Sequence, residues 1–351
     1  MKQKRNWGIF LVVMLMSVML LAACSNTNDP EAQAASTAGN QAQSSDSKAQ
    51  ASAEKAEDAA TSSETEAFGQ SGMRKMDTPV GEVELPAHPQ RIVADWNVGH
   101  LLALDIMPVA IPHSLLEYGK FLRESVPDTV ADLGDHNAIS LEQLTAVQPD
   151  LIITFSADKY ETYSKVAPTL VFDTSQYDTM QDQITALGEY LDRQDEAKAW
   201  NAEFDERLEA ARAKVQAAVS PDDTFTLVDY NWEGGVLVLG DSENRGGSAL
   251  YELLGLKPDA DVQSRIIDKG EDSAVISWEV FDEYVGTYLL ELTDEAAAPQ
   301  RLQTVWSQLD AVKNDRRIEL DLRKYFSADP FTAILQAEEM ADLIVAKIEN
   351  P

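Results

Sequence analysis

From about Thr179 to Val219 the sequence reads as one long helical region, with a break near Asp192-Arg193-Gln194. Its second half carries Trp200, Phe204, Leu208, Ala211 and Val215 at spacings of four, four, three and four. That is a single apolar stripe on a helix of about 24 residues, roughly 36 Å long at 1.5 Å per residue. Ser220-Pro221 ends it. The chain on either side follows another rule, in which short apolar runs alternate with short helical stretches.

Before the long helix, Arg91-Ile92-Val93-Ala94 and Val109-Ala110-Ile111 read as strands, with a helical Val98 to Leu104 between them. Ser140 opens a helix as N-cap, with Gln143 three residues on and apolar residues at Leu141, Leu144 and Val147. Pro149 stops that helix, and strands at 150–155 and 170–172 follow. After the long helix, strands are predicted at 224–228, 236–239, 288–292 and 318–320, and Val275-Ile276 precedes a helix. Helices are predicted at Ala249 to Leu254, Trp278 to Tyr284, Arg301 to Leu309 and Phe331 to Ile348. Strands alternating with helices indicate βαβ units and a largely parallel sheet. The expected architecture is α/β, two Rossmann-like lobes joined by one long helix, with a site between the lobes.

The N-terminus sets the compartment. Lys2, Lys4 and Arg5 precede an apolar run from Ile9 to Ala23, which is short for a transmembrane span. The run ends at Leu21-Ala22-Ala23-Cys24, the layout of a secretory signal. Cys24 is the single cysteine of the chain, so the part beyond it has no thiol for a disulfide, a thiolate metal site or a Cys nucleophile. Residues 25 to about 72 are built from Ser, Ala, Thr, Asn, Gln, Asp and Glu and lack the apolar surface to repay ordering. The expected division is a signal at 1–23, a disordered acidic tether at 24–72, an N-terminal lobe at 73–176, a helical connection at 177–220 and a C-terminal lobe at 221–351. The formal net charge of −32 opposes binding to nucleic acid and to anionic lipid surfaces.

Several stretches resemble, in order, the substrate-binding lipoproteins of ABC importers for ferric siderophores and cobalamin (the class III periplasmic-binding fold). They are Gly81-Glu82-Val83-Glu84-Leu85-Pro86 with Pro89-Gln90-Arg91-Ile92-Val93, then Ser140-Leu141-Glu142-Gln143-Leu144 with Gln148-Pro149-Asp150-Leu151-Ile152-Ile153, then Val166-Ala167-Pro168-Thr169. The second half adds Arg245-Gly246-Gly247 with Leu253-Leu254-Gly255, then Trp306 with Leu309-Asp310-Ala311-Val312-Lys313-Asn314, and Asp329-Pro330. Iron-hydroxamate binders are the nearest group. Leu-Ala-Ala-Cys resembles the bacterial lipobox, which implies a lipid on Cys24 and anchoring at the outer face of the cell membrane. The resemblance implies two rigid lobes with limited closure, and a monomer that delivers its ligand to a permease dimer driven by a cytoplasmic ATPase. Glu142 and Glu279, one per lobe, match the family's acidic residues that meet arginines on the permease.

The implied ligand is an iron(III)–siderophore complex, hydroxamate first, then citrate or catecholate, and cobalamin last. Such a chelate suits aromatic walls and one or two cationic donors without direct ligation of the metal. Arg245 matches the arginine of hydroxamate binders, although Glu243 stands where a Trp is frequent. Lys159 and Tyr160 follow the strand at 150–155, Trp96 and Asn97 follow the first strand, and Trp232, Tyr325 and Phe326 are the candidate aromatics of the second lobe. The four histidines, His88, His100, His113 and His136, have no metal-ligand spacing. No GxSxG elbow or phosphate loop is present, and no catalytic residues are expected. The competing readings are a surface enzyme acting on an anionic substrate in the same cleft, and a sensory or adhesive lipoprotein without a transport partner.

Overall fold

The computed structural model describes residues 72–232, 235–242, 244–294, 304–326 and 328–350. Cys24 and the expected signal and tether therefore lie outside the described residues, as do Glu243 and the first part of the helix expected at Arg301 to Leu309. A hairpin comes first, β1 (Met73–Thr78) antiparallel to β2 (Gly81–Pro86). It is fastened to the body by hydrogen bonds from the Arg74 guanidinium to the Tyr190 carbonyl and from the Tyr190 hydroxyl to the Asp77 carbonyl.

The first lobe runs β3 (Ile92–Ala94), α1 (Val98–Ala103), β4 (Ala110–Ile111), α2 (Ser114–Glu117), α3 (Lys120–Ser125), β5 (Ala131–Asp132), α4 (Leu141–Ala146), β6 (Leu151–Thr154), α5 (Ala157–Tyr163) and β7 (Thr169–Val171). Its five strands are all parallel, in the order β5-β4-β3-β6-β7. Parallel strands need crossover helices on both faces, and so they are buried throughout. Ile92, Val93, Ala94, Leu151, Ile152 and Ile153 are all buried. The start of α4 follows the sequence signal, because Ser140 and Gln143 form a reciprocal capping box.

The helical connection consists of two helices, α6 (Met180–Leu191) and α7 (Gln194–Ala218), separated where Asp192 takes a left-handed conformation at φ 56°. The apolar stripe of α7 serves both lobes in turn. Ala197 lies in the core of the first lobe, and Trp200 packs against both cores. Phe204, Leu208, Ala211 and Val215 belong to the core of the second. Burying each of the larger side chains contributes roughly 1.5–3 kcal/mol, an upper bound because the unfolded chain already hides some surface.

The second lobe contains β8 (Phe225–Trp232), β9 (Gly235–Leu239), α8 (Ala260–Arg265), β10 (Ser273–Ile276), β11 (Tyr288–Thr293), α9 (Asp310–Lys313), β12 (Arg317–Asp321), α10 (Leu322–Tyr325) and α11 (Pro330–Glu349). Its sheet order is β10-β9-β8-β11-β12, with β9 antiparallel to both of its neighbours and the other pairs parallel. Three expected helices differ in detail, the described part of the one at Arg301 to Leu309 being a 3-10 turn at Trp306–Gln308. Ala249–Leu253 is one π-type turn. Trp278 to Tyr284 is a turn followed by a short 3-10 segment at Phe281–Tyr284, where Trp278 stacks on the buried Tyr230 instead of lying along a helix.

The lobes touch along a seam built largely by α11 and α10. Glu338 of α11 accepts two hydrogen bonds from Arg207 of α7, at 2.8 and 2.7 Å. At the other end of α11, Asp329 is the N-cap in a capping box with Thr332, and Phe331 packs against the core of the first lobe. Gly99 of α1 meets the Asp329 carboxylate so closely that a Cβ there would overlap it. Lys120 of α3 pairs with Asp321 at 3.1 Å, and the Lys324 ammonium lies over the Phe121 ring. Gly99→Ala is expected to force the two lobes apart at this contact and to cost roughly 1–3 kcal/mol, as overpacking does. Urea unfolding checks it, and an unchanged midpoint would show that the seam is not tight.

Candidate ligand-binding site

In open α/β sheets the crevice forms beyond the C-terminal ends of the strands, where the strand order reverses. In the first lobe that point lies between β3 and β6. The residues leaving these strands are Asp95, Trp96 and Asn97 from β3, and Phe155 and Ser156 from β6. Trp96 and Phe155 are each 43% exposed, high for such large apolar side chains. Their rings lie 5.3 Å apart, and His136 stands 5.4 Å from Trp96 on the other side. Together they make an aromatic wall.

Lys159 lies behind this wall and is not a free charge. Its ammonium donates to Asp95 Oδ2 at 2.9 Å and to the His136 carbonyl at 3.1 Å, and it rests 5.5 Å from the Phe155 ring centre. Asp95 is fully buried and also accepts from the Thr154 hydroxyl at 2.8 Å. Tyr160, its neighbour in sequence, is half-buried against the core of the first lobe.

The second lobe contributes the turn around Arg245. Arg245 and Gly246 both have positive φ, at 57° and 79°. Gly247 has no room for a Cβ, which would strike the Gly240 and Ser242 carbonyls. The glycines thus let this turn sit directly on the strand ends. Arg245 Nε donates to Asp229 Oδ2 at 3.1 Å, and the guanidinium covers the Phe326 ring at 4.9 Å. The Phe326 ring lies 4.9 Å from Tyr118 of the first lobe, so a cation–aromatic–aromatic stack crosses the seam. Tyr325, expected beside it, is instead fully buried, with its hydroxyl 3.3 Å from Glu339. Adjacent residues of a helical turn point to different sides, and only Phe326 is left at the cleft. Trp232 ends β8, but its side chain lies outside the described residues.

A pocket lies between the lobes, and Trp96 forms part of its wall. It encloses about 720 Å³, counting the space open to solvent. Asn97 and His100 line it from the first lobe, Gln183 from α6, and Asn244, Ala328 and Asp329 from the second lobe. His100 Nε2 meets Gln183 Oε1 at 2.9 Å, so that nitrogen donates and Nδ1 is left as an acceptor. Burial pushes the imidazole down to about 4, while the bond to Gln183 acts the other way. Among the described residues, the Asn97 amide and His100 Nδ1 have no hydrogen-bond partner.

Sequence reasoning missed Phe155, Tyr118 and His136, and also the acids that pair with the two cations. Phe155 had a signal, since it follows a buried strand as Trp96 does. Among the described residues no group of three His, Asp or Glu side chains is placed to hold a metal ion, and no helix is long and apolar enough to cross a membrane.

Glu142 follows the N-cap of α4, and Glu279 lies just beyond the end of β10. Both are exposed, and neither has an ion-pair partner among the described residues. Exposed apolar side chains flank them, Leu141 beside one and Val280 beside the other.

Comparison with known proteins gives the following. A sequence profile described as "Periplasmic binding protein" matches residues 93–323. The iron(3+)-hydroxamate-binding protein YxeB of Bacillus subtilis (strain 168) is 31% identical over 296 residues, spanning 82% of this chain and 90% of its own. The iron(3+)-hydroxamate-binding protein FhuD of the same organism is 27% identical, spanning 74% and 82%. The structure of FhuD2 from Staphylococcus aureus with bound ferrioxamine B superposes with a TM-score of 0.63 at 26% identity, covering 74% of this chain and 100% of that one.

A pH measurement checks the burial of His100. Its imidazole is held neutral in the folded protein and protonates near 6.5 when unfolded. The unfolded chain therefore binds the extra proton between these values. Stability should be complete above about pH 6.5 and fall as pH drops toward 4, by about 3 kcal/mol in total. His100→Gln should remove that component from the pH dependence of urea unfolding. An unchanged profile would place the imidazole in solvent.

Proposed function

We propose that this chain, which belongs to the periplasmic binding protein family, captures a ferric siderophore of hydroxamate type outside the cell and delivers it to an ABC importer. Three hydroxamates neutralise iron(III), giving a bulky and uncharged complex, whereas citrate and catecholate complexes are anionic. The observation that carries this reading is the charge balance of the cleft. Each lobe offers a cation already matched by a buried acid, Lys159 by Asp95 and Arg245 by Asp229. The walls around them are aromatic. Arg and Lys in this setting polarise and hydrogen-bond without leaving a net positive field for an anion.

The iron stays within its chelator and is cargo. Trp96, Phe155, Tyr118 and Phe326 supply apolar surface to the organic shell of the chelate, Arg245 faces its oxygens, and Lys159 holds Asp95 behind the wall. Two of the relatives, YxeB and FhuD, carry names for iron(3+)-hydroxamate binding, which supports the same ligand class. Residues 73–176 and 221–351 act as the two lobes, with 177–220 as the rigid link. Residues 1–23 act as the export signal. Cys24 takes the lipid that holds the protein at the outer face of the cell membrane, and 24–72 serve as the tether. The protein works as a monomer, with no catalytic step.

Glu142 and Glu279 dock the loaded protein on the permease dimer. Their exposure, with no ion-pair partner among the described residues, leaves both carboxylates available to cationic partners, and one contact per lobe fixes orientation. Titration of the full-length protein with ferric hydroxamates, monitored by tryptophan fluorescence, tests the capture step. Quenching by the ferric forms and weaker quenching by the iron-free chelators is expected, and no response to any ferric complex would contradict it. Glu142→Arg together with Glu279→Arg should abolish iron uptake by cells and leave the titration unchanged. A loss of affinity in that double variant would place the two residues in the ligand site instead.

A further inference from the structure

The aromatic wall accounts for the chelate core, but it does not use the pocket behind Trp96. That pocket sets buried polar side chains among apolar ones such as Leu115, Leu122 and Met180. Asn97 is 1% exposed and its amide nitrogen and oxygen are both without partners among the described residues, as is Nδ1 of the buried His100. A buried amide left unpaired is costly, by about 1–3 kcal/mol, so such a group is normally met by water or by a ligand. The pattern of unmet groups is specific. Asn97 Nδ2 offers a donor, while Asn97 Oδ1 and His100 Nδ1 offer acceptors. Asp329 contributes a carboxylate to the same wall, and its Oδ1 accepts from the Thr332 backbone at 2.9 Å. Among the described residues, no Lys or Arg lines the pocket.

We propose that this pocket is a subsite for a neutral hydrogen-bonding arm of the chelate, an amide carrying both a donor and an acceptor, held by Asn97 and His100. The proposal rests on the reading of the protein as a siderophore binder and adds to it the chemistry of the part that reaches past the iron centre. An amide satisfies the Asn97 nitrogen through its carbonyl, and an Asn97 or His100 acceptor through its N–H. An ammonium has no acceptor to give Asn97, and a carboxylate would meet the Asp329 carboxylate, with no Lys or Arg among the described lining residues. Burial keeps the His100 ring uncharged near neutral pH, so it does not supply that cation either. Because Trp96 borders both the cleft and the pocket, a chelate stacked on the indole has a direct path for its arm.

The test uses the full-length protein and four ferric trihydroxamates. Three are linear and differ only in the terminal group, which is an acetamide, a free ammonium or a succinamide carboxylate. The fourth is cyclic and has no arm. The wild type should bind the acetamide form about tenfold or more tighter than the carboxylate form, the size expected for one or two hydrogen bonds at a buried site. Asn97→Leu keeps the branched outline and removes both groups. It should weaken the acetamide complex by about tenfold and leave the cyclic chelate unchanged. Asn97→Asp replaces the donor with a second acceptor, and should move the preference to the ammonium form. Equal weakening of all four ligands in both variants, or no discrimination by the wild type, would overturn the subsite. If none of the four binds the wild type, the siderophore reading itself falls with it.

Discussion

The apolar stripe of α7 belongs to two hydrophobic cores at once, with Ala197 in the first, Trp200 against both and Phe204 onward in the second. A helix committed in this way cannot bend without exposing part of one core. The seam adds a second constraint from the far end of the chain. There α11 is bonded to α7 through Arg207 and Glu338 while its N-cap, Asp329, presses on Gly99. The relative position of the lobes is therefore fixed by packing, and the crevice between them exists before any ligand arrives. The strand ends determine what that crevice presents: the first sheet releases Trp96 and Phe155 where its order reverses, and the second carries Arg245 in the turn after β9.

The electrostatics of the crevice follow from the same placement. Asp95 leaves β3 and Asp229 lies within β8, and both are buried too deeply to remain without a cation. Lys159 and Arg245 answer them, and each then lies over an aromatic ring. The cations are thereby oriented and charge-matched, which favours an uncharged partner of large apolar surface. A protein with a formal charge of −32 thus carries a cleft whose local balance differs from its surface.

Much of this arrangement is visible in the sequence because it rests on local rules. The alternating runs give the parallel sheet of the first lobe, Ser140 and Gln143 give the start of α4, and the stripe from Trp200 to Val215 gives the link between lobes. Other features depend on contacts distant in sequence. The two-residue strand β5 has no pattern of its own and exists only because β4 lies beside it. Tyr118 reaches the cleft because α2 and α3 meet α10, a pairing across about two hundred residues that no spacing reveals. Tyr325 and Phe326 could not be told apart as neighbours in sequence, since the choice of which one is buried belongs to α10 and its packing on α11. Lys159 is legible as a cation near the site, and its partner Asp95 carries a readable sign of its own, a charged residue directly after a buried strand.

The most direct check on the fixed relation of the lobes is the distance between spin labels at Glu161→Cys on α5 and Lys313→Cys on α9, in a Cys24→Ser background, with and without a ferric trihydroxamate. A single narrow distribution that shifts by no more than about 2 Å on binding is expected of a preformed crevice. A broad distribution in the free protein that collapses by about 10 Å or more on binding would contradict it, because α7 would then be a hinge and not a strut.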